Sequence, residues 1–234
     1  MITVRRADDR GKTKLDWLLS FHSFSFGTYH DPAHMGFKTL RVLNEDRVAP
    51  EAGFPMHPHR DMEILSYVVR GTLEHKDSLG NHGVIREGEI QLMSAGSGVT
   101  HSEFNPSETE PLHFLQIWIR PEKKGLEPAF QKKFFYERER INRLQIIASS
   151  SPAKGALHLN QQAEIYLSNL KAKHTLEHLI KPKSDIWIQM VKGEILIGEI
   201  HLKQGDGAGF IQEEKIEIGA LSDSEFLLFS LQAD

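Results

Sequence analysis

Two short segments of the sequence carry side chains that commonly bind metal ions. His57 and His59 lie two positions apart, and His101 and Glu103 repeat this spacing about forty residues later. On a β-strand, residues two positions apart project from the same face, so each pair presents its donor atoms on one side. Where two such strands face each other inside a barrel, three imidazole nitrogens and one carboxylate converge. This donor set suits a first-row divalent ion.

The predicted site is of the reactive rather than the structural kind. Four ligands leave one or two positions open on a metal that prefers five or six, and a catalytic metal needs an open position. The chain has 13 histidines and no cysteine. The ligands must therefore be nitrogen and oxygen, and thiolate zinc sites, iron–sulfur clusters and disulfides are excluded. Pro58, between the first two histidines, fits an extended edge segment.

Four other histidines receive different interpretations. His22 lies in an alternating Ser/Phe strand, which favours a packed histidine that makes hydrogen bonds over a catalytic one. His75 and His82 flank a hairpin around Gly80 and are expected to be solvated. His113 begins an apolar strand, and the sequence leaves open whether it lines the pocket. The C-terminal half has no His-x-His or His-x-Glu pair, so it is expected to be metal-free.

Composition limits the possible partners. Charged residues make up 26% of the chain and the net charge is −4, which argues against direct nucleic-acid binding. The first ten residues contain no apolar stretch of the signal-peptide type. No segment approaches 18 apolar residues, so no membrane span is expected. The predicted location is cytoplasmic.

The strand pattern repeats along the chain. Short apolar runs alternate with glycine turns at spacings typical of a sandwich or barrel. Ile186–Ile195 echoes Ile64–Leu73, and in both runs a strand ends in a basic residue followed by glycine. We therefore predict an all-β fold with two similar barrels. The N-terminal, metal-binding barrel spans residues 1–121, a polar connection spans 122–152, and a degenerate second barrel spans 153–234.

The same residues resemble a known family. Gly53-x3-His57-x-His59-x3-Glu63 resembles the first cupin motif, and Gly96-x-Gly98-x2-His101-x3-Asn105 resembles the second. The usual proline of the second motif is replaced by Gly96 or Ser94, which leaves the ligands untouched. A longer set of segments more closely resembles the pirin family of bicupins. It covers His57–Glu63, Glu74–Asn81 and Met93–Glu103, with further likeness in Phe21–Phe26 and Leu40–Asn44.

This resemblance implies a fold, a cofactor and an activity. The fold is two antiparallel jelly-roll barrels in tandem, with a few short helices. The cofactor is one divalent transition metal in the N-terminal barrel, usually Fe(II), with Mn, Co, Ni, Cu and Zn as alternatives. Several bacterial members are quercetin 2,3-dioxygenases, whereas eukaryotic members are linked to transcriptional co-regulation, and family membership alone does not choose between these roles.

Two residues, Glu63 and Glu103, are candidates for the carboxylate ligand. Cupins commonly use the position of Glu63, whereas pirins use the position of Glu103. Glu63 lies four residues beyond His59, about 13 Å along an extended strand, and would need a bend to reach the metal. Glu103 needs no bend, so the sequence favours Glu103.

Three functions fit these motifs. The leading one is a metal-dependent dioxygenase that opens a flavonol-like ring with O₂, with Glu103 as a ligand or as a ligand that leaves to take the substrate proton. The alternative is a metal-containing regulatory or redox-sensing protein without turnover. A metal-free sugar-binding or isomerase cupin is disfavoured by the intact ligand set. The expected assembly is a monomer or weak homo-oligomer.

Overall fold

The computed structural model describes residues 1–151 and 155–232, so the predicted boundary at 152–153 lies outside the described residues. Within these ranges the protein has 22 strands and two single-turn 3-10 helices, Ala7–Asp9 and Glu137–Glu139. The strands are β1 Ile2–Arg5, β2 Gly11–Lys14, β3 Leu18–His22, β4 Leu40–Val48, β5 Gly53–His59, β6 Glu63–Arg70, β7 Thr72–Asp77, β8 His82–Arg86, β9 Glu89–Ser94, β10 Val99–Phe104, β11 Leu112–Ile119, β12 Ala129–Phe134, β13 Gln145–Ser149, β14 Leu157–His158, β15 Ala163–Leu170, β16 Thr175–Leu179, β17 Ser184–Lys192, β18 Glu194–Ile197, β19 Ile200–Lys203, β20 Gly207–Phe210, β21 Lys215–Ala220 and β22 Ser224–Gln232. The predicted all-β class is confirmed.

The chain divides into two compact units. The N-terminal unit comprises Gly11–Phe135 and Leu159–Gln161. The C-terminal unit comprises Met1–Arg10, Tyr136–His158 and Gln162–Asp234. In each unit the described strands form one seven-stranded and one four-stranded sheet.

The predicted jelly-roll type is confirmed, although the sheets of the two predicted barrels do not close. Each unit is a jelly-roll sandwich, in which the outer strands of both sheets keep a free edge among the described residues. Closing a barrel requires the first and last strands of one sheet to pair. The alternating strand pattern of the sequence is the same for both architectures, which is why it did not separate them.

The N-terminal unit is the one that positions the predicted ligands. Its large sheet has the order β12-β9-β6-β11-β4-β3-β2, and its small sheet has the order β5-β10-β7-β8. Along the inward face of the large sheet, one apolar cluster contains Val68 and Phe114, and another contains Ile64 and Met93. Ser66 lies between Ile64 and Val68 on β6, so polar residues occupy the level between two apolar clusters.

The C-terminal unit repeats this plan with the orders β1-β20-β17-β22-β15-β13-β14 and β16-β21-β18-β19. Its first strand, β1, comes from the start of the chain and pairs with β20. The repeat seen in the sequence corresponds to β6–β7 and β17–β18. Gly71 (φ +86°) and Gly193 (φ +77°) lie at matching turns, in a conformation that favours glycine.

The segment 122–152, predicted as a connection, contains two strands. β12 pairs with β9 in the N-terminal unit, and β13 pairs with β15 in the C-terminal unit. Among the described residues, none forms a helix with the length and hydropathy that a membrane span requires.

Candidate metal centre

Three of the four predicted ligands converge in the N-terminal unit. β5 and β10 are antiparallel neighbours, and His57 lies directly opposite His101. His59 projects from the same face of β5 as His57, because side chains two positions apart on a strand point to the same side. One donor atom from each of these imidazoles lies within 4.8 Å of the other two. The i, i+2 spacing and the antiparallel register together build this His triad.

In the His triad, one ring nitrogen has the hydrogen bond expected of a metal ligand and three buried ring nitrogens have no partner among the described residues. His57 Nδ1 lies 2.7 Å from the Pro55 carbonyl oxygen. Because a carbonyl only accepts, Nδ1 carries the hydrogen and Nε2 keeps its lone pair. His59 Nε2 and both ring nitrogens of His101 are buried and have no hydrogen-bond partner among the described residues. Buried polar atoms normally have a partner, and a divalent ion would supply one, so these residues fit the implied metal.

Electrostatics keeps two of the imidazoles neutral. Burial, followed by the proximity of His57 and His59, lowers the pKa of His101 to about 2. Burial, followed by the charge of His57, lowers the pKa of His59 to about 4. Metal binding requires deprotonated imidazole. At neutral pH these two histidines therefore need to lose no proton before they bind a metal.

Glu103 lies beside the His triad but is held by other partners. Its carboxylate accepts hydrogen bonds from Ser66 Oγ at 2.9 Å and from Gln116 Nε2 at 2.5 Å. It lines the same cavity as His57 and His59, although its oxygens are outside the group of donors within 4.8 Å. Burial raises the pKa of Glu103 to about 7. Burial thus favours the neutral form of this carboxyl in the metal-free protein.

Glu63, the alternative carboxylate, is turned away from the cavity. It lies three positions before Ser66 on β6, so its side chain leaves the opposite face of the strand from the serine that contacts Glu103. Its Oε2 accepts hydrogen bonds from Ser94 Oγ at 2.9 Å and from the Asn160 backbone nitrogen at 3.1 Å. Glu63 is 2% exposed. These contacts give it a role in packing the Asn160 segment.

A cavity of about 260 Å³ adjoins the His triad. Its walls combine apolar rings and chains with a few polar groups. The apolar part is formed by Leu18, Phe26, Phe54 and Trp118, and the polar part includes Thr13, Ser20, His22, Asn44, Asp46 and Gln116. Small-molecule sites typically have this mixture of apolar walls and a few placed polar groups. The volume suits a compact aromatic molecule.

Comparisons with known proteins cover both halves of the chain. The Pirin family profile matches residues 3–119, and the profile "Quercetinase C-terminal cupin domain" matches residues 146–231. The chain belongs to the pirin family. It is 44% identical over 231 residues to a protein named quercetin 2,3-dioxygenase from Escherichia coli (strain K12), covering 99% of each chain.

Solved pirin structures agree with the fold. The crystal structure of YhhW from Escherichia coli has a TM-score of 0.97 and 44% identity, with 100% of this chain and 99% of YhhW covered. A second structure of that bacterial pirin, in complex with nickel(II), has a TM-score of 0.96, with both chains covered in full. A pirin with the same fold therefore binds a divalent transition metal.

In this pirin, the sequence interpretation of His75 is wrong. His75 was expected to be solvated, but it is fully buried and donates from Nε2 to Asp77 at 3.0 Å. Its ring lies 5.4 Å from that of His101 and stacks on Phe130 at 4.8 Å, measured between ring centroids. The alternation Leu73-x-His75-x-Asp77 in β7 was the available signal, because it places all three residues on one face.

The structure also places His22 and His113. His22 is the hydrogen-bonded packed histidine that the sequence predicts. Its Nδ1 is 2.8 Å from Asn44 Oδ1 and its Nε2 is 2.8 Å from Thr13 Oγ1. His113 contacts Glu45 at 2.9 Å and is not among the residues that line the cavity.

Proposed function

We propose that the protein is a metal-dependent dioxygenase that opens the ring of a flavonol-like aromatic with O₂. The proposed ligands are His57, His59, His101 and Glu103. The observation that carries the proposal is the His triad, two of whose imidazoles, His57 and His59, line a cavity with aromatic walls. The names of the 44%-identical relatives support the substrate class.

The bound metal and the side chains around it have separate roles in this reaction. When bound, the metal would acidify a substrate hydroxyl and provide the redox chemistry that O₂ requires. Glu103, as a ligand that leaves the metal, takes the hydroxyl proton as a general base. Ser66 and Gln116 orient its carboxylate. Phe54 and Trp118 pack against the aromatic substrate and exclude water.

The proposed metal is Fe(II), with Mn, Co, Ni, Cu and Zn as alternatives. Three imidazoles and one carboxylate accept any of these ions, and affinity order alone does not select iron. A cytoplasmic location remains a prediction from the sequence.

Oxygen consumption tests the proposed function. Metal-loaded protein is expected to consume O₂ with quercetin and to bleach the near-visible absorbance of the flavonol. Flavones that lack the 3-hydroxyl should be inert, because they have no hydroxyl that ionises at the metal. Chelated protein should be inactive and should recover when metal is restored.

The control is free metal at the same concentration without protein. Uptake by the loaded protein that does not exceed this control would overturn the dioxygenase proposal. The same four residues would then belong to a metal-containing regulatory or redox-sensing protein.

A further inference from the structure

A row of polar side chains crosses the large sheet of the N-terminal unit. Five strands contribute one residue each, and each residue is the direct register partner of the next. The row is Gln91, Ser66, Gln116, Asn44 and His22, and none of these residues is more than 7% exposed. Polar groups are rarely buried at one level across a sheet without a purpose, because each must find a partner there.

Most of this row is explained by contacts already described. Ser66 and Gln116 hold Glu103, and Asn44 holds His22. The middle of the sheet therefore supports the catalytic carboxyl, while the β3–β4 end forms the polar wall of the cavity.

Asp46 extends this wall and is not explained by any of these contacts. It follows Asn44 by two positions on β4 and so shares its inward face. Its register partners are Ser20 on β3 and Phe114 on β11. The Ser20 side chain hydrogen bonds to the carboxyl, but Asp46 Oδ1 is buried and has no hydrogen-bond partner among the described residues. Asp46 is 3% exposed and lines the cavity.

A purely structural role accounts poorly for this carboxyl. No ion pair to Asp46 occurs within residues 1–151 and 155–232, and the neighbouring Phe114 is apolar. A buried carboxyl with a free oxygen is costly unless something binds it. An apolar side chain at this position would pack against Phe114 without that cost. Asp46 lines the cavity instead, and a bound molecule there can donate a hydrogen bond to its carboxyl.

We propose that Asp46 binds a ring hydroxyl of the substrate, distinct from the hydroxyl that ionises at the metal centre. This inference rests on the proposed function. Asp46 belongs to the large sheet and His57 and His59 belong to the small sheet, so a substrate that contacts both is held from two sides. Asp46 thereby selects aromatics that carry a second hydroxyl, and it acts on binding rather than on the chemical step.

Binding and turnover of two flavonols test this role. The probes are quercetin, which carries several ring hydroxyls, and 3-hydroxyflavone, which carries only the hydroxyl needed at the metal. Wild-type protein is expected to bind quercetin about tenfold more tightly than 3-hydroxyflavone, the upper end of the value of one hydrogen bond. Asp46→Ala should raise the Kd and KM for quercetin about tenfold and leave both values for 3-hydroxyflavone within about twofold. Asp46→Asn keeps the shape of the side chain and one acceptor, so its Kd for quercetin should lie between those of the wild type and Asp46→Ala.

Glu63→Gln is the matched control, because Glu63 is also a buried carboxyl of the large sheet but does not line the cavity. This variant should leave the Kd and KM of both flavonols unchanged. The inference is overturned if Asp46→Ala weakens the binding of both flavonols equally or of neither. It is also overturned if calorimetry finds the same Kd for both flavonols with wild-type protein. Selective binding without turnover would overturn the proposed function and leave this inference standing, so the two failures are separable.

Discussion

Replacing His101 by alanine is expected to abolish metal binding. The ring centroid of His101 lies 4.5 Å from that of His57 and 4.8 Å from that of His59, and its two buried nitrogens have no partner among the described residues. Losing it removes one of three close donors. Elemental analysis after dialysis should find about one metal ion per wild-type chain and almost none in His101→Ala.

Stability gives an independent readout of the same change. An ion that binds only the folded state stabilises it by about 2.7 kcal/mol at a hundredfold excess over Kd. Adding metal should therefore shift the urea midpoint of wild-type protein and leave that of His101→Ala in place. His82→Ala, at an exposed histidine of β8, is the control and should behave as wild type. Full metal occupancy in both His101→Ala and His59→Ala would show that the ion binds elsewhere.

Glu103→Gln is expected to weaken metal binding and to lower kcat by about 10² to 10⁴, the usual contribution of a general base. Glutamine keeps the size of the side chain and retains an acceptor for Ser66 or Gln116. It has no carboxylate to bind a metal or take a proton. Steady-state kinetics on protein with measured metal content separates the loss of metal from the loss of the base.

Glu63→Gln is the matched comparison, since it makes the same change at the other candidate carboxylate. It should retain metal and turnover. It should also lower the free energy of unfolding by about 1–3 kcal/mol, because a buried amide replaces an acceptor of the Ser94 and Asn160 hydrogen bonds. If Glu63→Gln loses the metal while Glu103→Gln keeps it, the chain uses the ordinary cupin ligand.

The His triad was predictable because it depends on a short-range rule. The two-residue period of a strand brings His57 and His59 together, and the pairing of two motif strands adds His101. Glu63 was a weaker candidate than Glu103 because it lies four residues beyond His59 along the chain. Distance along the strand was only part of the reason, because Glu63 also leaves the opposite face of β6 from Ser66.

Features that depend on the pairing of strands far apart in the chain could not be predicted from the sequence. His75 has a polar neighbourhood in the sequence, but pairing of β7 with β10 places it opposite Glu103 and buries it. The polar row becomes visible only when the registers of five strands are known. The pairing of β1 with β20 joins residues about 200 positions apart, and no local pattern near Ile2–Arg5 indicates it.

Isotope labelling during turnover is the most direct test of the central claim. Metal-loaded protein reacting with quercetin under ¹⁸O₂ is predicted to place both labelled atoms in the products derived from the flavonol ring, and the ratio of O₂ consumed to quercetin consumed should be one. In H₂¹⁸O under unlabelled O₂, the ring-derived products should acquire no label in the cleavage step. Recovery of the consumed oxygen as hydrogen peroxide, with unlabelled ring products, would contradict the account and identify the reaction as metal-promoted oxidation without dioxygenation.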